Sequence, residues 1–390
     1  MYQFVNNLKS KSAFAFYRGG TALYALLAAM EVGAGDEVIT PIFTCPAVPS
    51  QVVRLDATPV YVDINPTTFN IDPNEIENKI TSKTKVIIAQ HTFGIPAEMD
   101  QILDIARKHN LWVIEDSCHA LGSKYQGREI GTFGDAVIYS YGWYKPVVLG
   151  LGGTAVVNNL TLKQKIEKIY ENFVVPSHKE LLPLYFQYFV YSLLLSPSRF
   201  WLMKELNDVL SKWGLLAGTG RFRRIKTGQA NKSVVLKSKV EKSSNNKIEG
   251  KRMLPFQEER LFRKLATIKD LIAYQEQLVF WYKEAFSKVG LPLFELDSRF
   301  APVFYKYPLL LDHKKDVFKE APRARIEMSD MFGSPLYPPA RRANWEALGY
   351  REGMCPISES ASARIVALPV HSRIKAKDIE KTAAFLASFR

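Results

Sequence analysis

The sequence predicts an α/β fold in which a mostly parallel sheet is covered by helices on both faces, with a smaller α+β unit after it. Three observations carry that prediction. Between residue 20 and about residue 160, apolar runs of strand length alternate with segments of helical periodicity. The strand-like runs are apolar throughout rather than at every second position, which is how strands buried on both faces read. From about residue 253 the order changes to a long helical stretch, two strand-like runs and a closing helix.

The first helix starts at a glycine pair. "GGTALYALLAAMEVG" puts apolar residues at helical spacing and reaches Gly33, a stop signal. "DEVITP" and "TPVYVDI" follow as short strands, and "KVIIAQHTFG" as a longer buried one. "EMDQILDIARKHN" has the repeat of an amphipathic helix. "LWVIED", "DAVIYSY" and "GGTAVVN" complete the strands. Residues 161–250 break this pattern: the run 181–198 has no charged residue, and "KSSNNK" (242–247) has the composition of a linker. "LPFQEERLFRKLATIKDLIAYQEQLVFWYKEAF" then predicts one long helix, "YKYPLLL" and "RIVALPV" two strands, and "KDIEKTAAFLASF" the last helix. The chain thus divides into a large unit 1–160, an apolar and basic insert 161–252, and a C-terminal unit 253–390.

Hydrophobic residues make up 47% and charged residues 23%, the balance of a globular protein rather than a disordered one. Cys45, Cys118 and Cys355 are odd in number and far apart. They fit neither a disulfide framework nor a zinc site and suit a reducing cytoplasm. The first twenty residues lack the apolar core and cleavage site of a secretion signal.

The net charge of +13 is concentrated: residues 221–252 hold eleven Lys/Arg against Glu241 and Glu249, a net of +9. Such a segment is either a solvated loop or a patch for phosphate, anionic lipid or nucleic acid. No helix-turn-helix or basic–aromatic pattern accompanies it, so nucleic acid is not expected. Pro183, Pro197 and Gln187 argue against a membrane span in the neighbouring apolar run. That run is either a buried helix or, with Trp201 and the basic segment beside it, a peripheral contact through 181–252 at the inner face of a membrane.

Ligands of open α/β sheets bind beyond the carboxyl ends of the strands, so polar residues there are the candidates. Gly19-Gly20-Thr21 opens a helix, where exposed amides attract a phosphate and glycine allows its close approach. Asp116 ends "LWVIED", and a carboxylate there either caps the next turn or pairs with a cationic ring nitrogen. His119 follows at one helical turn. Ser140 ends a strand and offers its hydroxyl to a phosphate. Lys145 lies five residues on, between an aromatic strand end and the glycines of "YSYGWYKPVVLGLGG". Lysine forms a Schiff base with an aldehyde, and burial makes it nucleophilic. A phosphate cradle, a carboxylate for a ring nitrogen and a Schiff-base lysine are together what pyridoxal phosphate requires. No metal site is expected.

The stretches "GGTALYALL", "GDEVITPIFTCPAV", "PVYVDINPTTFNIDP", "IIAQHTFGIPAEMD", "VIEDSCHALGSKYQGREIGTFGDAVIYSYGWYK", "GGTAVVNN", "RRANWEALGY" and "CPISESASARIVALPVHSRI" resemble the DegT/DnrJ/StrS sugar-nucleotide aminotransferases. These are pyridoxal-phosphate enzymes of fold type I, and the resemblance covers roughly two thirds of the chain. It implies a three-layer large domain like that of aspartate aminotransferase. Lys145 would then be the Schiff-base lysine, Asp116 would hold the pyridine nitrogen, and His119 would stand near the phenolic oxygen. Gly20, Thr21 and Ser140 would hold the phosphate.

The resemblance also implies transfer of an amino group, with glutamate the expected donor, to a nucleotide-linked keto-sugar for polysaccharide or related glycan synthesis. A homodimer is implied, because family members complete the site from the partner subunit. Arg252 is a candidate for that contact or for the nucleotide diphosphate. The sequence departs from the family at Cys45, where an aromatic ring usually covers the cofactor; Phe43 is the neighbouring ring expected to stand in. Of the family's "NYRM"-like stretch, "EGKRM" keeps Arg252 and Met253. These departures leave open a relative that has lost transamination and serves as a binding or regulatory protein, or another pyridoxal-phosphate reaction on a membrane-proximal sugar. Lys145 itself separates the chain from the family's dehydratases, which carry histidine there.

Overall fold

The computed structural model describes residues 2–177, 250–338 and 342–389, with 182, 184–186, 199–202 and 205–206 between them. Most of the apolar run 181–198, and the basic segment up to residue 249, lie outside the described residues, and with them the expected membrane contact. Among the described residues no helix is long and apolar enough to cross a membrane.

Seven strands build the central sheet: β1 (Ala13–Phe16), β2 (Glu37–Pro41), β3 (Thr58–Val62), β4 (Thr84–Gln90), β5 (Trp112–Asp116), β8 (Ala136–Ser140) and β9 (Gly153–Val157). Between them β6 (Lys124–Tyr125) and β7 (Arg128–Glu129) form a short hairpin, which β10 (Phe300–Ala301) extends. β11 (Lys306–Leu310) and β12 (Ile365–Pro369) pair antiparallel. The central order is β1-β9-β8-β5-β4-β2-β3. The run β8-β5-β4-β2-β3 is parallel throughout, and β9 is antiparallel to both its neighbours.

Successive residues of one strand serve opposite faces, which is why these strands are apolar at every position. Val38, Val86 and Ile114 pack with Leu23 and Leu26 of the helix Gly19–Ala29. Ile39, Ile87 and Val113 pack on the other side with Leu278, Tyr282 and Phe286 of the helix Ile268–Val289. That second cluster continues without interruption into Leu368 of β12 and Leu386 of the last helix, Ala376–Ala387. The strands of the C-terminal part therefore share a core with the main sheet.

Two local expectations are corrected and one strand is added. The first helix stops at Ala29 rather than running to Gly33, because Glu31 takes the left-handed conformation (φ 59°) that turns the chain. The single long helix is two, Pro255–Ala266 and Ile268–Val289. They meet at Thr267, whose hydroxyl donates to the Lys264 carbonyl (3.2 Å) and competes with the backbone ladder. β1 is an additional strand: its alternating "AFAF" buries Phe14 and Phe16 at the sheet edge, too short a pattern to announce itself.

Candidate active site

β4, β5 and β8 end at Gln90, Asp116 and Ser140, and the loops that follow them build the site. Lys145 lies in the loop 141–152. Its neck is closed by the Tyr141 N–H on the Gly152 carbonyl (3.0 Å) and the Leu149 N–H on the Tyr141 carbonyl (2.8 Å). The glycines of this stretch have a local cause. Gly150 and Gly152 are left-handed (φ 70° and 129°), and a Cβ on Gly150 would stand 2.5 Å from Leu184 Cδ1.

Lys145 Nζ is 3.0 Å from His119 Nε2. His119 is 7% exposed. Burial, and then the charge of Lys145, hold its pKa well below 6.5, so the imidazole is neutral. With Nε2 accepting from Lys145, the proton sits on Nδ1, which is buried without a partner among the described residues. The ring stacks on Tyr305 (centroids 4.9 Å apart, planes at 20°) and meets the edge of Phe332 at 6.2 Å. The Tyr305 hydroxyl in turn donates to the Tyr144 carbonyl.

Asp116 is buried, and its Oδ1 accepts from the Cys118 N–H (3.0 Å), so it caps the turn that leads to His119. Its neighbour Glu115 faces the opposite way. Glu115 accepts from the N–H groups of Gly131, Phe133 and Gly134 (2.7–2.8 Å) and lies 3.3 Å from His91 Nε2. Since His91 Nδ1 accepts from the Ala97 N–H (2.9 Å), Nε2 is the nitrogen that donates. This buried pair pins the end of β5 that carries Asp116.

On the far side of β8, the helix Gly19–Ala29 begins beside Ser140 without a side-chain cap on its first amides. A Cβ on Gly19 would stand 2.8 Å from Ser140 Cβ and 3.0 Å from Ser140 Oγ. Gly19 therefore sets how closely the helix start meets Ser140, while Gly20 approaches Gln51, 3.3 Å from where a Cβ would be. Thr21 donates its N–H to the Arg18 carbonyl (3.0 Å) in the same turn.

Cys45 shares the cleft. Burial pushes its thiol pKa up, against the Ala47 N–H and the charge of Lys145, while Asp116 adds to the rise. Phe43 does not cover the site as expected. It is fully buried in the core between the sheet and the C-terminal part, stacked on Phe332 (4.4 Å, 25°) and Phe69 (6.1 Å, 22°). Phe332 touches both Phe43 and His119. Arg252 is placed against the helix Leu160–Glu171: its Nη2 donates to the Tyr170 carbonyl (2.7 Å), and its guanidinium lies 4.3 Å from the Tyr170 ring centre. Lys145, His119, Asp116 and Cys45 are thus brought together, with Gly19–Thr21 and Ser140 one strand away. Sequence reasoning missed Tyr305 and Phe332, which carry no local motif and arrive from the other half of the chain. No His, Cys, Asp and Glu cluster that could hold a metal ion occurs among the described residues.

The sequence profile of the DegT/DnrJ/EryC1/StrS aminotransferase family matches residues 2–180 and 243–387. The chain is similar to the GDP-perosamine synthase of Caulobacter vibrioides, with 40% identity over 174 residues, 45% of this chain and 47% of that protein. It is 37% identical over 164 residues to the spore coat polysaccharide biosynthesis protein SpsC of Bacillus subtilis, 42% of each chain. The matched stretch spans less than half the length of either relative. The crystal structure of S. venezuelae DesV shares the fold, with a TM-score of 0.74 at 20% identity over 99% of this chain and 87% of that one.

Proposed function

Since the chain belongs to the DegT/DnrJ/EryC1/StrS aminotransferase family, we propose that it is a pyridoxal-phosphate-dependent aminotransferase acting on a nucleotide-linked keto-sugar. The observation that carries this reading is the Lys145–His119 pair (3.0 Å) beside Asp116, at the carboxyl edge of a parallel sheet. The residues present fit the cofactor. The Nδ1–H of His119 is a buried donor without a partner among the described residues, and the uncapped start of the helix at Gly19 lies so close to Ser140 that a Cβ there would stand 3.0 Å from its Oγ.

Bound pyridoxal phosphate supplies a reactive aldehyde carbon and an electron sink. Lys145 would be the amine that meets that carbon, and its free amine would be the base that takes a proton from the substrate carbon and returns it. Asp116 would keep a proton on the pyridine nitrogen. Neutral His119 orients the Lys145 amine through Nε2 and offers Nδ1–H to an oxygen. The Gly20 amide and the hydroxyls of Thr21 and Ser140 would receive the phosphate, the Thr21 N–H being held by the Arg18 carbonyl.

Glutamate as donor, a cytoplasmic homodimer and a product destined for polysaccharide belong to the same reading. Likeness to a GDP-perosamine synthase and to a spore coat polysaccharide biosynthesis protein supports the sugar and polysaccharide parts. For Arg252 to meet a partner subunit or a nucleotide diphosphate, it would have to leave the Tyr170 carbonyl and ring that engage it. The test is the visible spectrum of the purified protein with pyridoxal phosphate, then with glutamate. A visible band that glutamate bleaches, and that Lys145→Ala never forms, is expected. A wild type without the band would sink the assignment and leave a binding protein.

A further inference from the structure

We propose that Tyr305 is a positioning residue for Lys145, its ring orienting His119 and its hydroxyl holding the peptide before the lysine. This rests on the reading of Lys145 as the cofactor lysine. Tyr305 is 7% exposed and lies face to face with His119 at 4.9 Å, while its hydroxyl donates to the carbonyl of Tyr144, the residue before Lys145. One side chain thus touches both the backbone from which Lys145 departs and the imidazole that Nζ reaches.

His119 needs such a support. Its Nδ1 has no partner among the described residues, so the hydrogen bond on its ring is the one to Lys145 itself, and a single bond does not set a ring plane. Stacking on Tyr305 sets that plane, and the edge of Phe332 closes a second side.

The support is itself clamped. The Tyr305 N–H donates to the Phe93 carbonyl (2.8 Å). Two residues earlier the Val303 N–H donates to Ser123 Oγ (2.9 Å), which donates onward to the Gly94 carbonyl (2.7 Å). Segment 303–305 is therefore held between the loop after β4 and the loop after β5. A lysine amine held in one place loses the freedom of four torsions, and a fixed wall that supplies part of that ordering beforehand makes capture of an aldehyde faster.

The test is the rate at which cofactor-free protein captures pyridoxal phosphate, followed as the rise of the visible band, with thermal unfolding recorded on each variant. Tyr305→Phe keeps the ring and loses one hydrogen bond, so capture slows roughly threefold to tenfold. Tyr305→Leu loses both contacts and slows further. In a His119→Ala background the Leu and Phe variants become equal, because the ring has lost the partner through which it acts. The proposal fails if Leu costs the same factor with and without His119, or if Phe captures at the wild-type rate. If Tyr305→Leu does not fold, Tyr305→Phe decides alone: its loss is expected to be the same in both backgrounds. A wild type that captures nothing would instead overturn the assignment of Lys145.

Discussion

His119 is neutral because burial, more than the neighbouring Lys145 charge, opposes its protonation. The sign for stability follows from that depression. Below pH 6.5 the unfolded chain takes up a proton that the folded protein refuses, so this group makes the fold less stable as pH falls. In an NMR titration of the cofactor-free protein, His119 is expected to stay neutral as pH passes 6.5. In Lys145→Ala its midpoint rises but remains below 6.5, since the larger cause is still present. A wild-type midpoint at 6.5 would mean that the ring is hydrated rather than stacked on Tyr305. Lys145, His119 and Asp116 were legible in the sequence because each lies just past a recognisable apolar strand, where open sheets bind ligands. Tyr305 and Phe332 were not. Their role exists through a contact such as that from Tyr305 to Tyr144, 161 positions away, and no local pattern encodes it.

Among the elements, the loop after β4 decides how closely segment 303–305 can approach the sheet. Gly94 is left-handed (φ 97°), and a Cβ there would stand 2.1 Å from the Val303 carbonyl oxygen. Gly127 is also left-handed (φ 78°) but has nothing within 4 Å of that position. The pair separates backbone strain from contact. Gly127→Ala carries strain alone, about 1 kcal/mol, whereas Gly94→Ala adds displacement of the Val303 backbone, about 3 kcal/mol or more in total. Denaturant unfolding of both variants measures the difference, and equal losses would show that the approach of Val303 is not rigid. Gly94→Ala also shifts the clamp on Tyr305, so its capture of pyridoxal phosphate falls while that of Gly127→Ala stays at the wild-type rate. The strands were readable from apolar runs because both faces are buried. The break at Thr267 was not, since helical periodicity continues across it and the interruption is a backbone turn at one residue (φ −104°, ψ 17°), whose hydroxyl shares the Lys264 carbonyl.

At the scale of the molecule, residues 326–337 tie the C-terminal strands to the site. Ser329 bridges Ala367 on β12, Phe332 reaches Phe43 and His119, and Thr44 exchanges backbone hydrogen bonds with Pro335 (3.0 Å) and Tyr337 (2.9 Å). Glu327 anchors the start of this segment, and its Oε1 lies 2.8 Å from His371 Nε2, just beyond β12. Burial alone would raise the Glu327 pKa. The hydrogen bond and charge of His371, with the charges of Lys306 and Arg373, outweigh it and hold the carboxyl below 4.5. A carboxylate depressed in the fold contributes stability that is complete above its unfolded value and is lost as pH falls through the folded one. Glu327→Gln is therefore expected to lose about 1.5–3 kcal/mol at neutral pH, the worth of a charged, buried hydrogen bond. Wild type and variant should converge in acid, below the depressed folded value, where Glu327 is protonated and resembles glutamine. Thermal unfolding across pH measures both limbs. A constant gap down to the lowest pH would assign the loss to packing of the side chain rather than to its charge, and the segment that carries Phe332 to the site would then be held by its backbone alone.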